Sequence, residues 1–402
     1  MITEINNTPP SPKYNLPDML GVPRILYNVD GVRSNCKILS QKCAQHGISI
    51  AGVTKGAAGN PDIANAMLQG GISTLADSRL WNIQKLRDAG CVVPIILLRS
   101  PSMLEMELAA ELADIFLLSD IDSIRELSNA KQKIGKTADI ILMIELGDAR
   151  EGIDPKHLPQ VIGDVLAIKN ARIVGIGGNH GCHLGVMPTL QNMKQLSELA
   201  HWVEAKIGMP LEFVSAGNSS TFALMSSGQL PDNINHLRLG EAILFGKETN
   251  YDQLINGVRQ NNFSLVSQVI EVGVKSLDPN ASVGTNALGQ RVNLTVSGDR
   301  QLALLNIGEL DTQTSGLEPY ESRIEIIGAS SDHLVADVTG IEGISVGDEI
   351  AFSLNYPAGV RAMCSPYLHK YCIDDIKAER SSINLTNTQE LNALQVKNKG
   401  CI

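Results

Sequence analysis

A surplus of positive charge is absent from this chain, which has 402 residues and a formal net charge of −10. Nucleic acids and anionic membrane surfaces attract proteins through clustered Lys and Arg. Both are therefore disfavoured as partners, and a small molecule becomes the favoured ligand.

Long apolar runs are also absent, since no stretch reaches the length of a transmembrane helix. Residues 1–20 lack the basic start, the apolar stretch and the cleavage site of a secretory signal. We therefore expect a cytoplasmic protein without a membrane partner. The seven cysteines show no paired metal-ligand spacing, so we expect reduced thiols, no disulfide and no zinc site.

What is present is a repeated alternation of short apolar runs and amphipathic stretches from Arg24 onward. This alternation is typical of βα units around a parallel sheet, and the length fits a (β/α)8 barrel plus a second module. The predicted barrel strands are Ser49–Val53, Ile72–Leu75, Val93–Leu98, Asp114–Leu118, Ile140–Glu145, Ile173–Ile176, Leu211–Val214 and Leu237–Leu239. The predicted helices include Asp30–Gln45, Asp62–Gln69, Asp77–Asp88, Asp120–Gln132 and Thr189–Ile207.

The second module begins near residue 251, where short β-rich runs are separated by Gly, Asn and Asp. We divide the chain into an N-terminal arm (1–20), the barrel (21–250), an all-β domain (251–375) and a tail (376–402). The early strand Arg24–Tyr27 precedes the barrel count and is a candidate for the β domain. The predicted strands of that domain are Leu265–Val272, Gln301–Leu305, Arg323–Ile327, His333–Val338 and Glu349–Leu354.

Lys55 is the first candidate for chemistry, because it follows a barrel strand and precedes the nearly side-chain-free stretch Gly56–Gly59. Barrels place catalytic groups at strand C-termini, and burial favours the neutral amine that attacks an aldehyde. The alternative is a lysine whose stem packs at a strand end while its amine remains in water.

Three further clusters also follow predicted strands. The small residues of Ser215–Thr221 could hold a phosphate through backbone N–H groups and hydroxyls, or form only a capped turn. Arg238 lies inside an apolar strand and needs a partner, either a cofactor or a carboxylate on a neighbouring strand. Arg150 could clamp a carboxylate or lie solvated in a charged loop.

The joint order of these segments resembles the fold-type III pyridoxal-phosphate enzymes, the alanine racemase superfamily, and within it the ornithine racemase branch. The segments that carry the resemblance are Gly52–Lys55, Ala76–Arg79, Glu145–Gly152, Gly217–Ser220, Leu237–Gly246, Gly328–His333 and Arg361–Tyr367. The fold implied is the same barrel followed by a β domain.

The resemblance implies that Lys55 carries pyridoxal 5'-phosphate as an internal aldimine and serves as one of two proton-transfer bases. It implies further positions, assigned by similarity to the family's motifs. These are Asn218, Ser219, Gly240 and Glu241 at the phosphate, Arg238 at the pyridine nitrogen, Asn179 beside the ring, Arg150 at the substrate carboxylate, and Asp332 on a partner's β domain.

The second acid/base is not given by the resemblance, because no tyrosine occurs at 282–289, where the alanine racemases carry theirs. Tyr356 and Cys364 are the candidates, Cys364 on the hypothesis that Arg361 acidifies its thiol. Tyr367 is a third candidate and is also assigned to the substrate pocket. The loop His180–His183 has too few ligands for a metal, so we assign it to the pocket as well.

We therefore expect a homodimer with shared active sites that racemises an amino acid, with a basic substrate such as ornithine implied by the family. Glu145, Asp148, Glu241 and Asp332 are candidate partners for a substrate ammonium. Alternatives are a racemase of alanine, serine, lysine or arginine, a non-catalytic pyridoxal-phosphate-binding protein, and a decarboxylase of the same fold, whose expected Cys-Glu-Ser signature is missing. A binding module without cofactor is a more distant alternative.

Overall fold

The structure is a computed structural model that describes residues 22–250, 253–278, 282, 284–286, 288–289 and 297–373. The predicted N-terminal arm and tail lie outside the described residues. Within the described part of the chain, no helix has both the length and the apolar character needed to cross a membrane.

Eight parallel strands close into a barrel, which confirms the predicted fold class. They are β2 (Ser49–Val53), β3 (Thr74–Asp77), β4 (Ile95–Leu97), β5 (Ile115–Leu118), β6 (Ala138–Met143), β7 (Ala171–Gly177), β8 (Phe213–Ser215) and β9 (His236–Leu239), and β1 (Arg24–Asn28) precedes them outside the barrel. The strands are almost continuously apolar because side chains on both faces are buried, one set inside the barrel and one under the helices.

The helices pack around the outside of the barrel and begin at capping residues. Asn60 caps α2 from its side chain and Pro61 occupies the first helical position, while Thr189 forms a capping box with Asn192 at α7. The helices are α1 (Val29–Ala44), α2 (Pro61–Gln69), α3 (Leu80–Asp88), α4 (Met106–Leu112), α5 (Ile121–Lys133), α6 (Leu158–Leu166), α7 (Leu190–Ile207), α8 (Phe222–Ser226) and α9 (Glu241–Phe245). The carboxyl ends of all eight parallel strands therefore lie at the same end of the barrel.

The β domain is one twisted sheet with the order β12-β15-β10-β11-β14-β13. Its elements are β10 (Phe263–Leu277), β11 (Gly298–Leu305), β12 (Leu317–Pro319), β13 (Glu325–Ala329), β14 (Leu334–Asp337), β15 (Glu349–Leu354), α10 (Tyr356–Cys364) and β16 (His369–Ile373). Sequence patterns did not indicate β12, α10 or β16, and placed the start of α3 three residues too early, at Asp77, which belongs to β3.

The first strand β1 joins this sheet, where it pairs with β10 on one side and β16 on the other. Arg24 on β1 is buried and forms a two-pronged ion pair with Glu349 of β15, at 2.9 and 2.6 Å. The described part of the chain thus passes from the sheet of the β domain through the barrel and back to that sheet, which connects the two parts.

Candidate active site

Lys55 lies at the carboxyl end of β2, as the first residue of a short 3-10 turn, Lys55–Ala57. The turn closes through two residues with positive φ, Ala58 and Gly59, and an added Cβ at Gly59 would lie only 2.6 Å from Asn82. Among the described residues, the Lys55 amine forms no hydrogen bond or ion pair. The amine is thus held on a tight turn without a protein partner.

A buried carboxylate, Asp77, fixes this turn from the neighbouring strand β3. Its oxygens accept hydrogen bonds from the Thr54 hydroxyl at 2.7 Å, from the Asn82 amide at 3.1 Å and from the Arg79 backbone N–H at 2.9 Å. Burial raises the pKa of Asp77, and these hydrogen bonds act in the opposite direction. Sequence patterns indicated no role for Asp77 in the site, because its contact with Thr54 follows from the pairing of β2 with β3.

The strand ends β8 and β9 bring together the residues assigned to a phosphate. Asn218 caps the turn Ser219–Thr221 by accepting from the Ser220 N–H at 2.8 Å, and the buried Ser219 hydroxyl accepts from the Ala242 N–H at 3.1 Å. Gly240 precedes α9, and a Cβ there would lie 3.2 Å from Val53 on β2. This region is a compact cradle of small side chains next to the strand that carries Lys55.

Arg238 on β9 is buried and has no carboxylate partner within ion-pair distance among the described residues. Its guanidinium donates to the Ser215 hydroxyl and, at 2.8 Å, to the Gly178 carbonyl. Burial lowers the pKa of Arg238 to about 10, so the group is still a cation at neutral pH. The alternative of a salt bridge to a neighbouring strand is therefore wrong.

Asp148, in the loop after β6, connects that loop to the loop after β7 through hydrogen bonds. This buried carboxylate accepts from the backbone N–H groups of Cys182, His183 and Leu184 at 3.1–3.2 Å and from the Asn179 amide at 3.3 Å. With so many donors, Asp148 is a structural anchor and not a partner for a substrate ammonium.

Asn179 also accepts from the Asn218 amide at 3.3 Å, and Asn218 donates to the Cys182 thiol at the same distance. His180 is buried between these loops, and burial lowers its pKa to about 4, so its ring is neutral. Within the described residues, no three His, Cys, Asp or Glu side chains group as metal ligands. The loop is thus joined to the residues assigned to the cofactor.

Arg150 is half-exposed in the loop after β6 and forms a two-pronged ion pair with the adjacent Glu151. Its fork geometry is therefore already that of a carboxylate clamp. Burial, the largest influence, acts to lower its pKa, but the Glu151 carboxylate raises it overall, which keeps the guanidinium charged.

Tyr356 and Cys364 lie at the two ends of α10, which packs against the Lys55 turn. A Cβ at Gly56 would lie 3.3 Å from the Tyr356 ring, so this tyrosine stands next to Lys55 in the same chain. Burial raises the pKa of the Tyr356 phenol, and burial together with the charge of Asp77 raises the pKa of the Cys364 thiol.

The expected acidification of Cys364 by Arg361 is wrong. Arg361 instead lines a cavity of the β domain together with Glu309 and Thr314. Burial of the thiol, the largest influence on its pKa, opposes loss of the proton.

Asp332 and Tyr367 lie in the β domain and are exposed. Asp332 is in the turn Ser330–His333 between β13 and β14, and this turn docks on the segment after Gly308. In the described part of the chain, Asp332 makes no hydrogen bond or ion pair to the barrel. In one chain, the predicted site residues of the barrel thus lie together, whereas Asp332 and Tyr367 lie away from them.

The fold and the strand-end residues define the class: a (β/α)8 barrel with a β domain, whose mouth carries Lys55 without a hydrogen-bond partner among the described residues. Residues 27–248 match the family model described as alanine racemase, N-terminal domain. The chain belongs to this family, as the sequence motifs indicated.

Two relatives match over most of both chains. A lysine racemase of Thermotoga maritima is 33% identical over 348 residues, covering 87% of this chain and 98% of the relative. An ornithine racemase of Acetoanaerobium sticklandii is 34% identical over 350 residues, covering 87% of this chain and 99% of the relative.

Solved structures share the fold. The alanine racemase of Bartonella henselae, solved with covalently bound pyridoxal phosphate, superposes with a TM-score of 0.65. It is 19% identical and matches 88% of this chain and 100% of that chain. The likeness extends through both the barrel and the β domain.

Proposed function

We propose that the chain is a pyridoxal-phosphate-dependent racemase of a basic amino acid, with Lys55 as the residue that carries the cofactor. The observation that carries the proposal is the joint placement of Lys55 and Arg238 at the barrel mouth. Both side chains lie near strand ends, and neither has a carboxylate partner among the described residues. The names of the two relatives support the reaction and the substrate class.

The residues present fit the cofactor at its three anchoring points. Lys55 offers an unpartnered amine for the aldehyde, and the cradle of Ser219 and Gly240 offers a hydroxyl and close backbone access for the phosphate. Arg238 offers a buried cation that keeps its proton at neutral pH, since its pKa is about 10. A ring nitrogen that faces such a cation has to accept a hydrogen bond and is kept unprotonated.

When bound, pyridoxal phosphate would make the Cα proton of an amino acid acidic by withdrawing electrons. Lys55 then holds, at its Nζ, the proton that leaves or returns to one face of Cα. Arg150 orients the substrate by exchanging its Glu151 partner for the substrate carboxylate.

Tyr356 and Cys364 stay the proposed candidates for the acid on the other face. Both have raised pKa values, so both carry their protons at neutral pH and can donate one to Cα when Lys55 takes one from the other face. In the reverse direction the same group takes a proton from Cα and Lys55 returns one. The Tyr356 ring lies beside the Lys55 turn, whereas Cys364 lies at the other end of α10.

The substrate ammonium needs a carboxylate that other groups do not occupy. Asp148 is used by the loop backbone, and Glu145 accepts from the Gly147 and Ala149 N–H groups at 2.5 and 3.1 Å. Asp332 is exposed on its turn, so we propose that the Asp332 of a second copy reaches the barrel mouth in a homodimer. Glu241 has a partner of its own within the chain and stays a prediction from the sequence.

The alternative of a non-catalytic pyridoxal-phosphate-binding protein is less well supported. The two racemase relatives match 87% of this chain, so their likeness includes the β domain as well as the barrel. A protein that only stored the cofactor would have no use for a domain that closes over a substrate.

The test is a chiral assay of the purified protein with pyridoxal phosphate and ornithine, lysine, arginine, alanine and serine. We expect fastest turnover with ornithine or lysine, and none above background for Lys55→Ala. Lys131→Met is the matched control, because Lys131 is a buried lysine at the opposite end of the barrel, where its amine donates to the Ala113 carbonyl. Alanine as the best substrate contradicts the substrate class, and an active Lys55→Ala contradicts the assignment of Lys55.

The same assay tests the shared site. Lys55→Ala and Asp332→Ala are each expected to be weak or inactive alone, and a refolded mixture is expected to recover activity. In a mixed dimer, one of the two sites contains neither substitution. A mixture that recovers nothing contradicts a site completed by the partner's β domain.

A further inference from the structure

A buried chain of hydrogen bonds continues behind Arg238 into the barrel. The Ser215 hydroxyl, which accepts from the Arg238 guanidinium, lies 2.8 Å from Nδ1 of His236. Ser215 is 0% exposed, His236 1% and Arg238 4%. The three side chains form a connected network, and neither the family resemblance nor the proposed function gives Ser215 or His236 a role in orienting Arg238.

The network follows from the strand register. His236 and Arg238 are two residues apart on β9 and so point to the same side of the sheet. Arg238 pairs with Ala51, which belongs to the apolar cluster inside the barrel, so this side is the barrel interior. Ser215 pairs with His236 across the β8–β9 ladder, which brings its hydroxyl between the imidazole and the guanidinium.

The direction of the hydrogen bonds can be worked out by counting donors. A guanidinium only donates, so the Ser215 oxygen accepts from Arg238. If the Ser215 hydroxyl donates to Nδ1, one buried group lacks a hydrogen-bond partner among the described residues, the N–H at Nε2 of His236. If Nδ1–H donated to the Ser215 oxygen instead, both Nε2 and the Ser215 hydroxyl proton would lack a hydrogen-bond partner. The first arrangement is therefore favoured.

His236 is neutral in this arrangement. Burial, with the nearby charge of Arg238, lowers its pKa to about 3. The Phe213 ring meets the imidazole edge to face at 5.1 Å between centroids and limits its rotation. Arg238 is thus oriented by two neutral side chains, the Ser215 hydroxyl and the His236 imidazole behind it. A carboxylate in the same place would compensate the charge of the guanidinium.

We infer that Ser215 and His236 are positioning residues that orient the Arg238 guanidinium, with its charge uncompensated, toward the ring nitrogen of the cofactor. The inference rests on the proposed function, because it assigns a role to Arg238 at pyridoxal phosphate. Neither residue touches the cofactor or the substrate, so both act through Arg238.

The experiment titrates the apoenzyme with pyridoxal phosphate and records the dissociation constant and the absorbance band of the bound cofactor. Ser215→Ala and His236→Leu remove the acceptor chain, and each is expected to weaken cofactor binding roughly tenfold, the effect of a lost hydrogen bond to a charged group. The absorbance band should shift with them, since it depends on the hydrogen bond at the ring nitrogen.

Two further variants separate positioning from packing. His236→Asn keeps an acceptor oxygen near the position of Nδ1 and is expected to restore binding and the band. Ser267→Ala, at a buried serine of the β domain whose hydroxyl donates to Asn306 at 2.9 Å, is the matched control and should resemble the wild type.

The outcomes are distinguishable. A wild type that takes up no pyridoxal phosphate overturns the proposed function and the inference with it. If the wild type binds pyridoxal phosphate and Ser215→Ala is unchanged in affinity and absorbance band, only the inference is overturned. The inference is also overturned if His236→Asn binds pyridoxal phosphate as weakly as His236→Leu. If His236→Leu does not fold, the Ser215→Ala result decides.

Discussion

At the scale of single residues, the chemistry of a lysine is set by where the fold places it more than by how far burial shifts its pKa. Lys131 is buried, and burial lowers its pKa to about 8, the property often sought in a lysine that attacks aldehydes. Yet its amine is held by the Ala113 carbonyl, at the amino end of the strands. Lys55 lies at the carboxyl end, where barrels carry their chemistry.

Sequence patterns predicted the charged residues at the strand ends but not the hydrogen bonds that connect neighbouring strands. Lys55 could be found because it follows an apolar run and precedes Gly56, and Arg238 because it lies inside an apolar run that ends at Gly240. Arg150 could be found because its glycine-containing loop follows a third apolar run. The bonds from Asp77 to Thr54 and from Ser215 to His236 join residues more than 20 positions apart, so only the strand register reveals them.

One residue-scale prediction concerns the anchor Asp148. Asp148→Asn replaces an oxygen that accepts backbone N–H groups with an amide that donates, so the loop Cys182–Leu184 should loosen. We expect kcat/KM to fall roughly tenfold or more, with most of the protein still folded. Steady-state kinetics measure this loss.

Asp154→Asn is the control, because Asp154 caps a short turn nearby and is partly exposed. It should leave kcat/KM close to the wild-type value. Equal losses in the two variants would mean that the Asp148 anchor has no special role in the site.

At the scale of elements, α10 is the helix that links the β domain to the Lys55 turn, and sequence patterns did not indicate it. Pro357 and Gly359 within nine residues argue against a helix, although a proline in the first turn is compatible with one. The Asn355 side chain caps it by accepting from the Ala358 N–H at 3.0 Å. The short β12 and the half-polar β16 were missed because each strand depends on its neighbours.

The close packing of α10 gives a prediction about stability. A Cβ added at Gly359 would lie 2.3 Å from the Phe245 ring, so Gly359→Ala should push α10 away from α9. We expect a loss of about 1–3 kcal/mol in the free energy of unfolding, the usual cost of overpacking. Chemical denaturation measures it.

Gly273→Ala is the matched control, since a Cβ on that residue of β10 would meet no atom of the described residues within 4 Å. It should leave stability nearly unchanged. A Gly359→Ala protein as stable as the control would show that α10 is not tightly seated on α9.

At the scale of the whole molecule, the fold class follows from the sequence because a parallel barrel has a simple pattern: buried strands that alternate with capped helices. All eight predicted barrel strands overlap observed ones. The division of the chain near residue 250 stays a proposal, supported by the end of the barrel at α9. The homodimer and the cytoplasmic location stay predictions, because a single chain specifies neither its partner nor its compartment.

The whole account depends on a covalent bond between Lys55 and pyridoxal phosphate, and borohydride reduction followed by peptide mass spectrometry tests it most directly. Reduction converts that bond to a stable amine, so the account predicts the added mass on the peptide that contains Lys55. The peptide with Lys131 serves as the internal control and should stay unmodified. The added mass on another lysine, or on none, would contradict the account.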